Sequence, residues 1–341
     1  MNSLFELSTR PNQDAAGACI VVLGTGGTIA GTAAASGDNI GYTAAQRGVA
    51  ELLQAIPPLH NALRGCKLRT EQVAQVDSKD MGWAVWQPLL ARTAEALADP
   101  AVRGVIITHG TDTLEETAYL LHAVLRPSKP VVLVSAMRPA TALTPDGPQN
   151  LLDALAVLHD AAAQGVMAVC AGALHSAREV CKRHPYRVDA FDSGDAGPLA
   201  YIEEGALRWL RSPPLAQADI SALWPHLWPR LAQAHELPRV DVITSHADAD
   251  GRVVDLLVQD GVRGLVVAGT GNGTVHQRLL SALERAQAAG VWVWRASRCA
   301  QGRVLRHAGD AWTGIHLPEA EGLSPVKARI ALMLALLAEA E

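Results

Sequence analysis

The sequence predicts an α/β protein of two domains, a larger N-terminal one built on a mixed or parallel sheet and a smaller C-terminal one built on a parallel sheet. Three observations carry that expectation. Short β-branched runs alternate with helical patterns along most of the chain. Each run is almost continuously apolar, as a strand covered on both faces requires. The alternation stops once, between about Arg211 and Pro238, and then resumes. The length of 341 residues also exceeds the roughly 250–300 over which one core grows.

The predicted strands are Ala18–Leu23, Gly104–Thr108, Pro130–Ser135, Val166–Ala171, Val240–Thr244, Gly264–Ala268 and Val291–Trp294. Amphipathic helices lie between them. One is expected from Thr274, with Val275, Leu279, Leu283 and Ala286 on a shared face and Gly290 as a left-handed stop. The last is expected to start with Ser324 as N-cap and Pro325 in its first turn, and to carry the stripe Val326, Ile330, Met333 and Leu337. The interruption holds Pro213, Pro214, Pro225, Pro229 and Pro238, with Trp224 and Trp228 among them, and has no strand signal. Prolines at that density suit a connection with some short helix. The expected units are therefore 17–212, a linker 213–237, and 238–341.

Composition narrows the function classes. Hydrophobic residues make up 49% and charged residues 18%, the balance of a well-buried globular enzyme. A net charge of −5 and the lack of any Lys/Arg block argue against a nucleic-acid partner. No apolar run approaches the roughly 20 residues of a membrane span, and no basic segment leads into an apolar one near Met1, so a cytoplasmic protein is expected. The five cysteines, Cys19, Cys66, Cys170, Cys181 and Cys299, are scattered and form no CxxC pair, which supports neither a zinc site nor a disulfide framework. His109, His175, His184 and His246 show no metal spacing and read as structural or surface residues.

Two turns carry chemistry. The first, Gly24-Thr25-Gly26-Gly27-Thr28-Ile29-Ala30-Gly31, follows the first strand. It is not a dinucleotide loop, because Ile29 stands where GxGxxG needs glycine, and no Gly-Lys-Ser/Thr follows to make a phosphate loop. What remains is a glycine-rich strand end that lets backbone N–H groups approach a ligand and presents the Thr28 hydroxyl; read alone, it could equally be a tight turn with Thr28 as a helix cap. The second turn, Thr108-His109-Gly110-Thr111-Asp112-Thr113-Leu114-Glu115-Glu116-Thr117, also ends a strand. Thr113 and Glu116 have capping-box spacing, so a helix is expected to start here, and Thr111 or Asp112 could be caps or could face the same cleft as Thr28. Carboxyl ends of strands in an open α/β sheet are where ligands bind.

Together the two turns resemble the bacterial-type L-asparaginase/glutaminase family. The resemblance continues in order through Gly41-Tyr42-Thr43, Asp77-Ser78-Lys79-Asp80-Met81, Ser135-Ala136-Met137-Arg138-Pro139, Asp146-Gly147-Pro148, Gly197-Pro198-Leu199 and Ala268-Gly269-Thr270-Gly271-Asn272-Gly273, covering almost the whole chain. It implies a flavodoxin-like C-terminal domain and an amidohydrolase that attacks a side-chain amide with Thr28. It further implies that Tyr42, from a small-residue loop over the site, contacts Thr28, and that Thr111, Asp112 and Lys182 complete the catalytic set. A threonine hydroxyl is a poor nucleophile at neutral pH and needs such neighbours. Ser78, Lys79, Asp112 and Asn272 are the substrate-binding residues by the same resemblance. A small amino-acid amide is the expected substrate and a homotetramer the expected assembly; no metal or organic cofactor is implied.

The chain departs from the family pattern twice. Lys79 stands where well-known periplasmic members have Gln or Glu, and a cation there bears on how the substrate's charged groups are held. The stretch from Cys299 does not match the family segment that carries a glutamate into a neighbour's site, and Asp310 is the nearest carboxylate. Asparagine is the leading substrate, with glutaminase or dual activity as the alternative, since one methylene separates the two. A non-catalytic amino-acid binder or an amidotransferase-associated subunit on the same fold is the reading from another class. The first is disfavoured by the joint presence of Thr28, Thr111, Asp112 and Lys182, the second by the chain's length.

Overall fold

The structure is a computed structural model that describes residues 17–212, 227–305 and 322–339. In chain order the larger domain contains β1 (Cys19–Gly26), β2 (Thr32–Ala33), β3 (Tyr42–Thr43), α1 (Val49–Gln54), α2 (Leu59–Ala62), β4 (Lys67–Val76), α3 (Trp83–Ala98), β5 (Val102–Thr108), α4 (Leu114–Leu125), β6 (Pro130–Val134), α5 (Gly147–His159), β7 (Gly165–Cys170), β8 (Ala173–Ser176), β9 (Cys181–Lys182), β10 (Phe191–Asp192), β11 (Ala200–Glu203) and β12 (Ala206–Trp209). There follow α6 (Trp228–Gln233), β13 (Val240–Thr244), α7 (Arg252–Gln259), β14 (Gly264–Gly269), α8 (Gln277–Ala288), β15 (Trp292–Ser297) and α9 (Pro325–Glu339).

Among the described residues the large sheet has eight strands, ordered β12-β11-β8-β7-β6-β5-β1-β4. Strands β4, β1, β5, β6 and β7 are parallel, while β8, β11 and β12 add antiparallel pairings. The chain leaves β1 for β4 on one side and then crosses back to β5 on the other. The order therefore reverses between β1 and β5, and the two Gly–Thr turns sit at the carboxyl ends of those two strands. A crevice forms at such a switch point without further adjustment. The smaller domain is a parallel β13-β14-β15 sheet, so the α/β class and the division into a large mixed and a small parallel sheet both hold.

Burial explains which strands were legible. β1, β5, β6, β7 and β14 are buried along nearly all their length and read as apolar runs. Edge strand β4 is mostly exposed, and its polar sequence KLRTEQVAQV gives no such run. Helices α3 and α4 cover one face of the large sheet and α1 and α5 the other. The first of these cores continues through α9 into one face of the small sheet, whose opposite face is covered by α7 and α8.

Two local expectations change. The helix expected from Thr274 begins at Gln277 with His276 as N-cap, because Thr270 and Thr274 exchange backbone hydrogen bonds (2.8 Å each) around a turn in which Gly271 and Gly273 have positive φ. Helix α9 is buried on more than one stripe: Lys327, Ala328, Ala331, Leu332 and Leu334 are covered as well, since the helix is packed between the small sheet and α4. The described part of the proline-rich stretch is docked, with Leu231 of α6 fully buried and Trp83 and Gln87 of α3 donating to backbone carbonyls of residues 231–234.

Candidate active site

The first turn is made by close backbone approach. Gly27 has φ +84°, and a Cβ there would lie 2.3 Å from the N and Cα of Gly110. The two turns thus touch backbone to backbone, and only glycine permits it. Thr25 stitches them further, its hydroxyl donating to Thr108 O at 2.8 Å. Thr28 opens a single 3-10 turn, is buried, and keeps its hydroxyl for Tyr42, with Oγ1 and the phenol oxygen 2.7 Å apart.

Tyr42 is carried by the short β2–β3 ladder, in which Ala33 faces Tyr42 and Thr32 faces Thr43. The tip of that excursion is closed by Asp38, whose carboxylate accepts from the N–H groups of Ile40 and Gly41 and is held below its ordinary pKa by them. The excursion rests on a neighbouring segment: Ala33 N–H donates to Thr141 Oγ1, and Ser36 O accepts from Leu143 N–H.

In the second turn Lys182 of β9 donates to Thr111 Oγ1 at 2.7 Å and to Asp112 Oδ1 at 2.6 Å. Thr111 is buried, whereas the Asp112 side chain is 53% exposed and open to a ligand. Ser78, fully covered, accepts from Asp112 N–H at 3.1 Å, which leaves its own hydroxyl proton to donate. Thr111 N–H makes no hydrogen bond among the described residues. The capping box does not form. Thr113 Oγ1 donates to Ser78 O (2.7 Å) and makes no cap bond, and Glu116 is half-buried beside Arg329 of α9, 3.9 Å away. The helix still starts where the spacing placed it.

Lys79, Asn272 and Asp310 stand differently. Lys79 is exposed and pairs with Asp80, its charge favoured by that partner and, more weakly, by Asp77 and Asp112. Asn272 belongs to the smaller domain, where its amide donates to Leu305 O (2.9 Å) and accepts from Leu305 N–H (2.7 Å); no hydrogen bond joins it to the cluster of the larger domain. Asp310 lies outside the described residues.

Sequence reading missed the support beneath the turns. His109 is fully buried and its pKa is pulled down to about 4 by desolvation. Trp86 donates to Thr117 Oγ1, which leaves the Thr117 hydroxyl to donate to His109 Nε2 and His109 Nδ1–H to donate to Gly110 O (2.7 Å). A neutral histidine therefore fixes the carbonyl of the glycine that faces Gly27. A glycine in each turn was the available sign that backbones meet, but nothing local said which two. Among the described residues no group of three or more His, Cys, Asp or Glu is placed to hold a metal ion, and no helix is long and apolar enough to cross a membrane.

Lys182 also lines a cavity of about 900 Å³ between the two domains, walled by Arg183 and Asp192 on one side and Arg295 and Arg298 on the other. Thr28, Thr111 and Asp112 do not line it.

Comparison with known proteins gives a consistent outcome. Residues 19–215 match the family model for the asparaginase N-terminal domain, and residues 239–341 match that for the glutaminase/asparaginase C-terminal domain. The chain is 36% identical over 320 residues to a glutaminase-asparaginase of Pseudomonas fluorescens biotype A, covering 93% of this chain and 86% of that one. It is 36% identical over 322 residues to L-asparaginase 2 of Escherichia coli K12, covering 93% and 88%. The crystal structure of a probable cytoplasmic L-asparaginase from Campylobacter jejuni superposes with a TM-score of 0.85 at 36% identity, covering 94% of this chain and 95% of that one. The chain belongs to the asparaginase family.

Proposed function

We propose that the protein is an amidohydrolase that converts L-asparagine to L-aspartate and ammonia, with Thr28 as nucleophile. The observation that carries this reading is the meeting of the Thr28–Tyr42 hydroxyl pair with the Lys182–Thr111–Asp112 group across the Gly27–Gly110 contact. Thr28 Oγ attacks the side-chain amide carbon while its proton passes to the Tyr42 oxygen, which releases its own phenol proton toward the leaving amide nitrogen. The C–N bond then breaks, the nitrogen takes up a proton and leaves as ammonia, and an aspartyl ester remains on Thr28. Water cleaves that ester, releasing aspartate and restoring the hydroxyl. In this reading the Thr111 N–H serves the developing oxyanion, and Lys182 holds the Thr111 hydroxyl in register. Asp112 takes the substrate's α-ammonium and Ser78 donates to its α-carboxylate. Lys79, beside the Asp112–Ser78 corner, tunes how those charged groups are bound. Asn272 and Asp310 are assigned to the same substrate from the second domain, of the same chain or a neighbour, within a homotetramer.

Glutamine is the second substrate to consider, because a pocket distinguishes one methylene by only about 1–3 kcal/mol. Ammonia release measured side by side from asparagine and glutamine decides between them; equal rates would make the enzyme dual. We place the domain boundary within 213–237 and the protein in the cytoplasm, consistent with its five free cysteines.

A further inference from the structure

Lys182 has little of its own to stand on. Its strand β9 is two residues long and among the described residues pairs only with β10, outside the eight-stranded sheet. Part of what holds this segment comes from the other domain. Lys327 of α9, 1% exposed, donates to Arg178 O (2.8 Å) and to Val180 O, two residues before Lys182. Glu115, in the first turn of α4 just past Thr111 and Asp112, accepts from Cys181 Sγ (3.6 Å) with one oxygen and from Ser324 Oγ (3.2 Å) with the other. The start of α9 therefore touches both arms of the site, the one bearing Lys182 and the one bearing Thr111–Asp112.

A buried ammonium is a costly way to fill space. Burial pulls the Lys327 pKa down to about 8, with Arg178 acting in the same direction and Glu115, Cys181 and Glu179 against it. An apolar side chain of equal length would avoid that penalty but would take away the donor that the Arg178 and Val180 carbonyls share.

We propose that Lys327 is a positioning residue of the reaction, a strut from the smaller domain that holds the 178–182 backbone so that the Lys182 ammonium meets Thr111 and Asp112. The proposal rests on reading Lys182 and Thr111 as parts of the hydrolytic site. Small misplacements of such groups cost up to about 100-fold in rate.

The test is steady-state ammonia release from asparagine by the full chain, as wild type, Lys327→Met and Lys327→Gln, with circular dichroism and elution volume as checks of folding. Lys327→Met is expected to lose about 10- to 100-fold in kcat with KM changed less than about threefold. Lys327→Gln, which keeps N–H donors, is expected to recover part of the loss. Folded variants with kcat within twofold of wild type would overturn the proposal, as would equal losses in both accompanied by a large rise in KM. Failure of both to fold would assign Lys327 to stability and overturn it too. A wild type that releases no ammonia while folding normally would instead remove the hydrolytic reading, and this inference with it.

Discussion

Two turns of nearly the same composition end buried parallel strands in this molecule, and their polar groups are engaged differently. Gly24-Thr25-Gly26-Gly27-Thr28 follows β1, and Gly269-Thr270-Gly271-Asn272-Gly273-Thr274 follows β14. In the second the polar groups satisfy one another: Thr270 and Thr274 join hydroxyl to hydroxyl at 2.7 Å, Ser297 donates to Gly271 O, and Asn272 clamps Leu305. In the first, the Thr25 hydroxyl is tied into the backbone, and among the described residues the Thr28 hydroxyl bonds only to the phenol of Tyr42. The difference comes from the neighbour. β1 lies at the strand-order reversal, so a second turn with its own threonine, aspartate and lysine faces it; no such reversal occurs among β13, β14 and β15.

The glycines give the sharpest way to break this comparison. Gly27→Ala places a methyl group on the Gly110 backbone and is expected to cost at least ~3 kcal/mol and most of the activity. Gly271, at φ +49° with open space around it, should tolerate alanine at about 1 kcal/mol with turnover within about twofold. Urea melts and initial rates on the pair check both; similar outcomes would mean the Gly27–Gly110 contact does not set the first turn apart.

Glu116 tests how firmly the second turn's helix is held by the smaller domain. Desolvation raises its carboxyl from 4.5 to about 7, with Arg329 opposing and Glu115 adding. Between those values the folded chain holds a proton that the unfolded chain has released, so stability falls as pH rises through this window. Glu116→Gln should therefore raise the unfolding free energy from urea melts at pH 8 by on the order of 2–3 kcal/mol and leave it little changed at pH 4. A uniform shift at both pH values would contradict the buried-carboxyl account.

Tyr42→Phe removes the phenol oxygen that Thr28 touches and nothing else. It is expected to lower kcat about 100-fold with KM nearly unchanged. The smallest effect is expected at Lys79, whose exposed ammonium borders the substrate corner. Lys79→Gln should shift KM several-fold and kcat much less, and a large fall in kcat at constant KM would remove it from binding.

Much of this was legible because strands buried on both faces must be apolar, and because glycine and threonine at strand ends narrow what a turn can do. β4 escaped notice because an exposed edge strand has no burial to advertise. The capping box misled because Thr113 had a better partner in Ser78, distant in sequence and adjacent in space. Lys327 and Glu115 were illegible for a related reason: in sequence a lysine and a glutamate look like a solvated helix face, and only the packing of α9 against α4 buries them. The sequence named most of the groups proposed for the site but not what keeps them in place.

The central claim is that Thr28, not Thr111, carries the acyl group. Rapid acid quench during asparagine turnover, followed by peptide mass mapping of wild type and Thr28→Ala, tests it directly. The expected result is an aspartyl group on the peptide containing Thr28 in wild type, with no adduct and at least a ~1,000-fold slower turnover in Thr28→Ala. An adduct on the peptide containing Thr111, or equal turnover by the two proteins, would contradict it.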